Sequence, residues 1–262
     1  MSLTFLLASA CEEDPEPPVA LCATEPTDDP GEPVLSPEDA DAFAGVGYLT
    51  HDAGDAYGNP SCGATLIHRR VVVTAAHCIE RALATPSARI GFGLGPICGR
   101  VVPVVATIPF SETRDYGKPG REEWDLAALV LASGVDDVAP VPIGSAAMAC
   151  DAASVGYGRK VAGPSDVREG YDGARRVLPM CVDALSPGVH AHSSGDASPC
   201  FGDSGSPLLG ADGALLGVLT SFEPALEDVR CTPGEGLIYV DAAAHQAFLA
   251  QVIADVEAGA YP

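Results

Sequence analysis

The stretch Gly202-Asp203-Ser204-Gly205-Ser206-Pro207, preceded by Cys200, carries the most specific signal in the chain. A serine hydroxyl is a poor nucleophile at neutral pH, so Ser204 needs a base within hydrogen-bond reach and donors for the oxyanion that its attack creates. Glycines on both sides let the backbone turn tightly and aim neighbouring N–H groups at one point. Taken alone, the stretch also fits an ordinary Gly-Ser loop, so a catalytic reading requires a base and an acid elsewhere.

A base is offered by Val72-Val73-Thr74-Ala75-Ala76-His77-Cys78, where an apolar strand leads into small residues. The small residues leave room for the His77 imidazole, and Cys78 can pin it. The other histidines lack such a setting: His51, His68, His190, His192 and His245. His190, His192 and Asp196 could bind a metal in principle, but nothing in the sequence fixes their geometry, and we expect no metal and no cofactor.

An acid is offered by Asp125, which follows Trp124 and precedes the unbroken apolar run Leu126 to Leu131. Burying a carboxylate there costs several kcal/mol unless it accepts strong hydrogen bonds. An imidazole N–H is such a donor. We therefore expect Asp125 to orient His77 and to stabilise its imidazolium form.

Short apolar runs separated by turn residues continue from Phe43 onward, and 29 glycines, 23 prolines and few aromatic residues suit many turns joining short strands. The first series of predicted strands is Val46 to Thr50, Ala64 to Ile67, Val71 to Thr74, Ala88 to Phe92, Val101 to Ile108 and Leu126 to Leu131. The second is Ala153 to Tyr157, Arg175 to Ala184, Pro207 to Leu209, Ala214 to Phe222 and Gly236 to Val240. Asp241 to Val256 has a helical period that puts Ala244, Phe248, Val252 and Ile253 on one face. This spacing predicts an antiparallel β sandwich or a pair of barrels.

Together the three segments resemble the trypsin and chymotrypsin family of serine proteases, in that family's chain order of His, Asp and Ser. The resemblance covers about Ala44 to Val256 and implies an all-β fold of two six-stranded antiparallel β barrels with a C-terminal α-helix. It implies that Ser204 attacks the scissile carbonyl, that His77 moves the proton and that Asp125 holds the ring. The backbone N–H groups of Gly202 and Ser204 would form the oxyanion hole.

The resemblance also implies a set of substrate-binding residues: Ser198, Ser221, Phe222, Glu223 and Gly236. Ser221 takes the family position that hydrogen-bonds the triad carboxylate and lines the substrate strand. Ser198 falls at the base of the specificity pocket, where trypsin-like members carry Asp, which favours an apolar residue before the scissile bond. Glu223 replaces a glycine of the pocket wall, and Glu235 lies near its other side, so attraction of a cationic residue stays open.

Nine cysteines without a CxxC pair indicate disulfides formed in an oxidising compartment. By the resemblance, Cys62 pairs with Cys78, and Cys200 pairs with Cys231. Three pairings remain for the next four cysteines, which are Cys22, Cys98, Cys150 and Cys181. Because Cys150 and Cys181 flank an expected hairpin, we prefer to pair them with each other, which leaves Cys22 with Cys98.

The odd cysteine is Cys11, which closes a short apolar run and resembles the lipidated cysteine of a bacterial lipoprotein signal. Simple secretion with a cut near Ala10 is the alternative, and both alternatives predict an exported bacterial protein, extracellular or in the cell envelope. We divide the chain into a leader (1–11), an acidic Pro-rich linker or propeptide (12–42) and a peptidase domain (43–262).

Family members usually mature by a cut that frees an Ile or Val amine, and this amine pairs with the aspartate beside the nucleophile, here Asp203. No Ile-Val-Gly-Gly stretch precedes Phe43, and Val34-Leu35-Ser36-Pro37 matches poorly. Either an unusual cut activates a zymogen or Asp203 has another partner. We expect some N-terminal processing between Val34 and Ala44.

The chain carries 36 acidic and 14 basic residues, a formal net charge of −22, which argues against nucleic acid as a partner and for solubility. We expect a monomer whose partners are protein or peptide substrates, protein inhibitors, and a membrane reached through lipidated Cys11. The negative charge predicts a mild preference for cationic substrates.

The leading expectation is a serine endopeptidase that works through an acyl-enzyme. A catalytically silent binding protein on the protease fold is the main alternative. An α/β-hydrolase esterase fits worse, because Ser206 breaks its motif and the order of the triad differs.

Overall fold

The computed structural model describes residues 42–52, 57–80, 89–97, 99–111, 121–159, 174–186, 188–222 and 236–262. The leader, most of the linker, Glu223, Cys231 and Glu235 lie outside these residues. In the described part of the chain, no helix is long and apolar enough to cross a membrane.

Six antiparallel strands close into a first barrel in the order β1-β2-β3-β6-β5-β4. They are β1 (Val46–Asp52), β2 (Tyr57–His68), β3 (Val71–Thr74), β4 (Ile90–Leu94), β5 (Arg100–Pro109) and β6 (Ala127–Leu131). The β-branched and leucine-rich strands β3 and β6 are buried throughout and lie side by side, with Val72 opposite Leu129. Because β3 leads to His77 and β6 follows Asp125, this pairing brings the two residues to the same end of the barrel.

A second barrel has the order β10-β11-β12-β9-β8-β7. Its strands are β7 (Ala152–Gly156), β8 (Arg176–Ala184), β9 (Val189–Ser193), β10 (Pro207–Leu209), β11 (Leu215–Phe222) and β12 (Gly236–Asp241). The two closed barrels confirm the fold that the sequence resemblance implies. Strand β9 was missed, because its buried positions Val189 and Ala191 alternate with the half-exposed His190 and His192, so it has no apolar run.

The barrels touch through both side chains and backbone. The Tyr157 hydroxyl, at the end of β7, donates a 2.9 Å hydrogen bond to the Gly95 carbonyl, at the end of β4. The Tyr157 ring also meets that of Tyr48 edge-on, with centroids 5.1 Å apart. Such paired buried aromatics add stability beyond their buried area. These contacts fix the two barrels against each other.

The C-terminal helix α1 (Gln246–Glu257) follows a 3₁₀ turn at Ala243–His245. It buries Leu249, Val252 and Val256 in the core that contains β3 and β6. The expected apolar face was therefore partly wrong: Ala244 precedes the helix and is exposed, and the buried stripe is centred on Leu249. The helix was recognised from its period, and the Asp241 carboxylate accepts the backbone N–H of Ala243, at 2.9 Å, in the 3₁₀ turn that precedes the helix.

Candidate active site

His77 lies in a 3₁₀ turn, Ala76–Ile79, that begins two residues after β3 ends. The neighbouring Ala75 and Ala76 are fully buried, so larger side chains would not fit under the imidazole. Cys78 forms a disulfide with Cys62 of β2, the pair that the resemblance implies. The His77 side chain is 33% exposed and is thus accessible from the surface.

Asp125 follows a second 3₁₀ turn, Glu122–Trp124, and immediately precedes Leu126 and the buried strand β6. The residue is only 2% exposed. Its Oδ1 accepts the backbone N–H of His77 at 2.8 Å, and its Oδ2 lies 2.6 Å from His77 Nδ1. A carboxylate buried this deeply requires such donors, and the pair fixes the ring with Nε2 directed away from Asp125.

A third donor to Asp125 is the hydroxyl of Thr220, which is buried in β11 and bonds to Oδ2. This contact corrects the expectation for Ser221: the donor is one residue earlier. The register of β11 and β12 shifts between Leu219 and Ser221, and the irregularity turns Thr220 rather than Ser221 toward Asp125. Strand irregularities of this kind re-aim a single side chain and are not visible in an apolar run such as Leu215–Phe222.

Two opposing effects act on the pKa of His77. Burial lowers it, while the hydrogen bond and the negative charge of Asp125, together with the charge of Glu80, raise it. The net result is a pKa above the ordinary value of 6.5. His77 is therefore a stronger base than a free histidine, as removal of a serine proton requires.

Ser204 lies in the turn between Gly202 and Gly205, whose φ angles of 93° and 81° favour glycine. The Ser204 carbonyl accepts the Gly63 N–H at 2.7 Å, and the Thr74 hydroxyl bonds the Gly63 carbonyl at 2.8 Å. The Ser204 carbonyl oxygen also lies 3.6 Å from Cys78 Sγ. These contacts hold the turn against the first barrel beside His77, although no hydrogen bond joins Ser204 Oγ to the His77 ring within the described residues.

The N–H groups of Gly202 and Ser204 bond to no acceptor among the residues that the structure describes. The rest of the turn is satisfied: Asp203 N–H donates to the Cys200 carbonyl at 3.0 Å, and Gly205 N–H donates to the Leu219 carbonyl at 2.7 Å. Two open donors that flank a serine hydroxyl can bind an oxygen that becomes negatively charged.

Asp203 is 5% exposed, and its side chain contacts the backbone of the second barrel. Its carboxylate accepts the N–H of Gly158 at 2.7 Å and that of Cys200 at 2.8 Å. A Cβ on Gly156 or Gly158 would come within 2.1 or 2.2 Å of the carboxylate oxygens. Glycine is thus required at the end of β7 so that the carboxylate can approach the backbone.

The structure describes only some of the expected substrate-binding residues. Ser198 is buried, and its hydroxyl has no hydrogen-bond partner among the described residues. Ser221 and Phe222 are half-buried at the end of β11, and the Phe222 ring lies 6.3 Å from that of Phe201, centroid to centroid. Gly236 begins β12, next to His192. Glu223 lies outside the described residues, and these substrate-binding roles stay predictions.

Two further features concern cysteines and metal ligands. Cys150 pairs with Cys181, the pairing preferred from the hairpin, and Cys200 is disulfide-bonded, although its predicted partner Cys231 lies outside the described residues. Within the described ranges, three ligand atoms of Cys62, His77 and Cys78 lie within 4.8 Å of one another. Both sulfurs belong to a disulfide, so this cluster does not offer a metal the thiolates it needs. His192 Nδ1 instead lies 2.6 Å from Asp183 on β8.

The sequence and the structure were compared with those of known proteins. The family model described as Trypsin matches residues 47–234. Among solved structures, neuropsin, described as a serine protease expressed in the limbic system of mouse brain, is similar at 20% identity and a TM-score of 0.62. The likeness spans 82% of this chain and 96% of the neuropsin chain and supports the fold. No curated protein matches the chain. Since the family model covers most of the sequence, from β1 to beyond β11, this chain belongs to the trypsin-like serine protease family.

Proposed function

We propose that this protein is a serine endopeptidase that hydrolyses peptide bonds through an acyl-enzyme, with His77, Asp125 and Ser204 as its catalytic triad. The observation that carries the proposal is the buried Asp125 carboxylate, which holds His77 Nδ1 at 2.6 Å. Family membership supports protein or peptide substrates.

In the proposed reaction, His77 Nε2 removes the hydroxyl proton as Ser204 Oγ attacks the scissile carbonyl carbon. The carbonyl oxygen becomes an oxyanion that the N–H groups of Gly202 and Ser204 bind, because these donors have no other described acceptor. His77 then gives its proton to the leaving amine, and the acyl group stays on Ser204. Water, deprotonated by His77, releases the acid product and restores the serine.

Asp125 keeps its charge during this cycle and stabilises the imidazolium that forms twice. Its three donors, His77 N–H, His77 Nδ1–H and the Thr220 hydroxyl, offset the cost of holding a carboxylate at 2% exposure. The raised pKa of His77 fits the same role, since a more basic ring takes the serine proton more readily.

For the residue before the scissile bond we propose an apolar side chain. Ser198, at the expected pocket base, carries no charge, and the ring of Phe222, another expected pocket residue, lies 6.3 Å from that of Phe201. A panel of peptide substrates that varies this residue tests the proposal, and a clear preference for Arg or Lys would contradict it.

We also propose that the protein is exported. The disulfides Cys62–Cys78 and Cys150–Cys181 support this, because such bonds persist in oxidising compartments. Processing between Val34 and Ala44 and lipidation at Cys11 remain predictions, which N-terminal sequencing and intact mass of the protein from its native envelope would test.

The deciding experiment is labelling with a fluorophosphonate, which reacts with an activated serine. We expect label on the Ser204 peptide of the wild type, no label in Ser204→Ala and strongly slowed labelling in His77→Ala. Absence of label in a folded wild type, both before and after limited proteolysis, would instead favour a silent binding protein on this fold.

A further inference from the structure

The carboxylate of Asp203, the residue before the proposed nucleophile, is buried, and the proposed reaction assigns it no chemical step. Burial raises the pKa of this carboxyl above its ordinary value, and the N–H donors of Cys200 and Gly158 and the positive charge of Arg176 offset part of this rise. A buried ionised carboxylate needs a nearby counter-charge, because isolated charges are strongly disfavoured in a low-dielectric interior.

Arg176 begins β8, directly opposite Gly156 in the β7–β8 ladder. Its Nη1 donates a hydrogen bond to the Gly158 carbonyl. The N–H of the same Gly158 donates to Asp203 Oδ1 at 2.7 Å. Arg176 and Asp203 are therefore linked through one residue and also line a common cavity of about 10 Å³.

Arg159 is a second guanidinium at this cavity, but Arg176 is the cation whose charge lowers the pKa of Asp203. The guanidinium of Arg159 extends toward the Phe201 ring, 5.8 Å from its centroid. The Tyr239 phenol, from β12, is buried and has a raised pKa, so it stays neutral. Ser198 contributes a neutral hydroxyl to the cavity wall.

We propose that Arg176 is a positioning residue for catalysis: its charge favours the ionised, inward form of Asp203, and this sets the Gly202–Ser204 turn so that the N–H groups of Gly202 and Ser204 stay open to an oxyanion. In this proposal the site is completed by the Arg176 guanidinium, which belongs to the folded second barrel. Processing near the N-terminus, where it occurs, is not needed to supply an amine to Asp203. This inference rests on the proposed function only for its activity readout.

The activity test uses the full chain with its N-terminus uncut. We expect the wild type to label with fluorophosphonate before any cut, and Arg176→Met to label roughly 100-fold or more slowly, as for a buried charge that loses its partner. The acidic limb of the labelling rate should move to higher pH in Arg176→Met, because Asp203 without its counter-charge takes up a proton more readily. Arg176→Lys, which keeps the charge, should recover most of the rate. Arg175→Met is the matched control, because the adjacent Arg175 donates to the Phe43 carbonyl instead, and it should leave the limb unmoved.

A second readout is independent of activity and uses the Ser204→Ala background. Urea unfolding midpoints are measured for Arg176→Met, Asp203→Asn and the double variant. We expect the double variant to lose no more than the worse single variant, because each mutation removes the same pair. The loss in Arg176→Met should shrink as the pH falls and Asp203 becomes protonated.

The outcomes separate the two proposals. Two results would overturn the role of Arg176. One is additive shifts of the urea midpoints; the other is an Arg176→Met variant that labels as fast as the wild type with an unmoved acidic limb. Labelling of the wild type only after a cut would overturn the independence from processing. A coupled cycle without any labelling would support the Arg176–Asp203 pair and refute the proposed function alone. If Arg176→Met does not fold, folding restored by the added Asp203→Asn supports the pair, and failure of both the double variant and Arg176→Lys contradicts it.

Discussion

Replacing Thr220 by valine removes the hydroxyl that donates to Asp125 while preserving the shape of the side chain. Thr220 is 8% exposed, so water does not readily replace the lost donor. A hydrogen bond to a charged group contributes about 1.5–3 kcal/mol, and we therefore expect Thr220→Val to lower the free energy of unfolding by about 2 kcal/mol. If about 1.4 kcal/mol of this loss is felt in the transition state, kcat/KM falls about tenfold.

The pH profile gives this prediction its specific signature. With one donor fewer, the negative charge of Asp125 acts more strongly on the imidazolium, so the pKa of His77 rises further. The acidic limb of kcat/KM then moves to higher pH. A loss of packing alone would lower stability without moving the limb.

Ser221→Ala is the matched control for stability and for the position of the limb. Ser221 is the next residue of β11 and makes no described hydrogen bond to Asp125. Its unfolding free energy should change by no more than about 0.5 kcal/mol. Denaturant titrations and pH profiles of the two variants decide the matter. A larger loss of stability, or a larger shift of the limb, in Ser221→Ala than in Thr220→Val would refute the assignment of Thr220 as the donor.

Three other outcomes follow from the site. Because the pKa of His77 is raised above 6.5, kcat/KM should fall as the pH drops through that raised pKa. The stability that the His77–Asp125 pair contributes should be complete below about 6.5 and should be lost as the pH rises through the raised pKa. Denaturation measured at a series of pH values tests this. Gly63→Ala would place a Cβ 2.0 Å from Ser206 Oγ and 2.7 Å from its backbone, so we expect about 1–3 kcal/mol of destabilisation and slower fluorophosphonate labelling; unchanged stability would show that the turn can move. Removing the Cys150–Cys181 disulfide, which closes 31 residues, should cost about 3.7 kcal/mol of unfolding free energy and leave labelling of the folded protein intact; loss of labelling at full stability would contradict this.

The sequence was sufficient for the barrels wherever strands are buried on both sides. Strands β3 and β6 read as unbroken apolar runs, and β10 follows directly from the Ser204 turn. Strand β9 was not predicted because the half-exposed His190 and His192 alternate with its buried residues and break up any apolar run. The start of α1 was not predicted because a 3₁₀ turn, Ala243–His245, separates it from β12, and the helix has no side-chain cap that a sequence motif could reveal.

Side-chain partners were harder to predict, because they depend on local backbone irregularities. The shift between Leu219 and Ser221 exchanges the roles of two adjacent hydroxyl residues, and both Thr220 and Ser221 are chemically suited to bind Asp125. The sequence left the partner of Asp203 open, because the proposed counter-charge, Arg176, lies on β8, 27 positions earlier in the chain, and only the β7–β8 register places it opposite Gly156. Contacts of this kind require the pairing of strands to be known first.

The central claim is that Ser204 forms a covalent acyl-enzyme with the help of His77 and Asp125. The most direct measurement is intact-mass detection of the protein quenched within the burst phase of reaction with an activated ester or peptide substrate. We predict a mass increase equal to the acyl group, mapped to the Ser204 peptide and absent in Ser204→Ala. Turnover of the same substrate that persists in Ser204→Ala, or turnover by the wild type with the acyl group mapped to a different residue, would contradict the account.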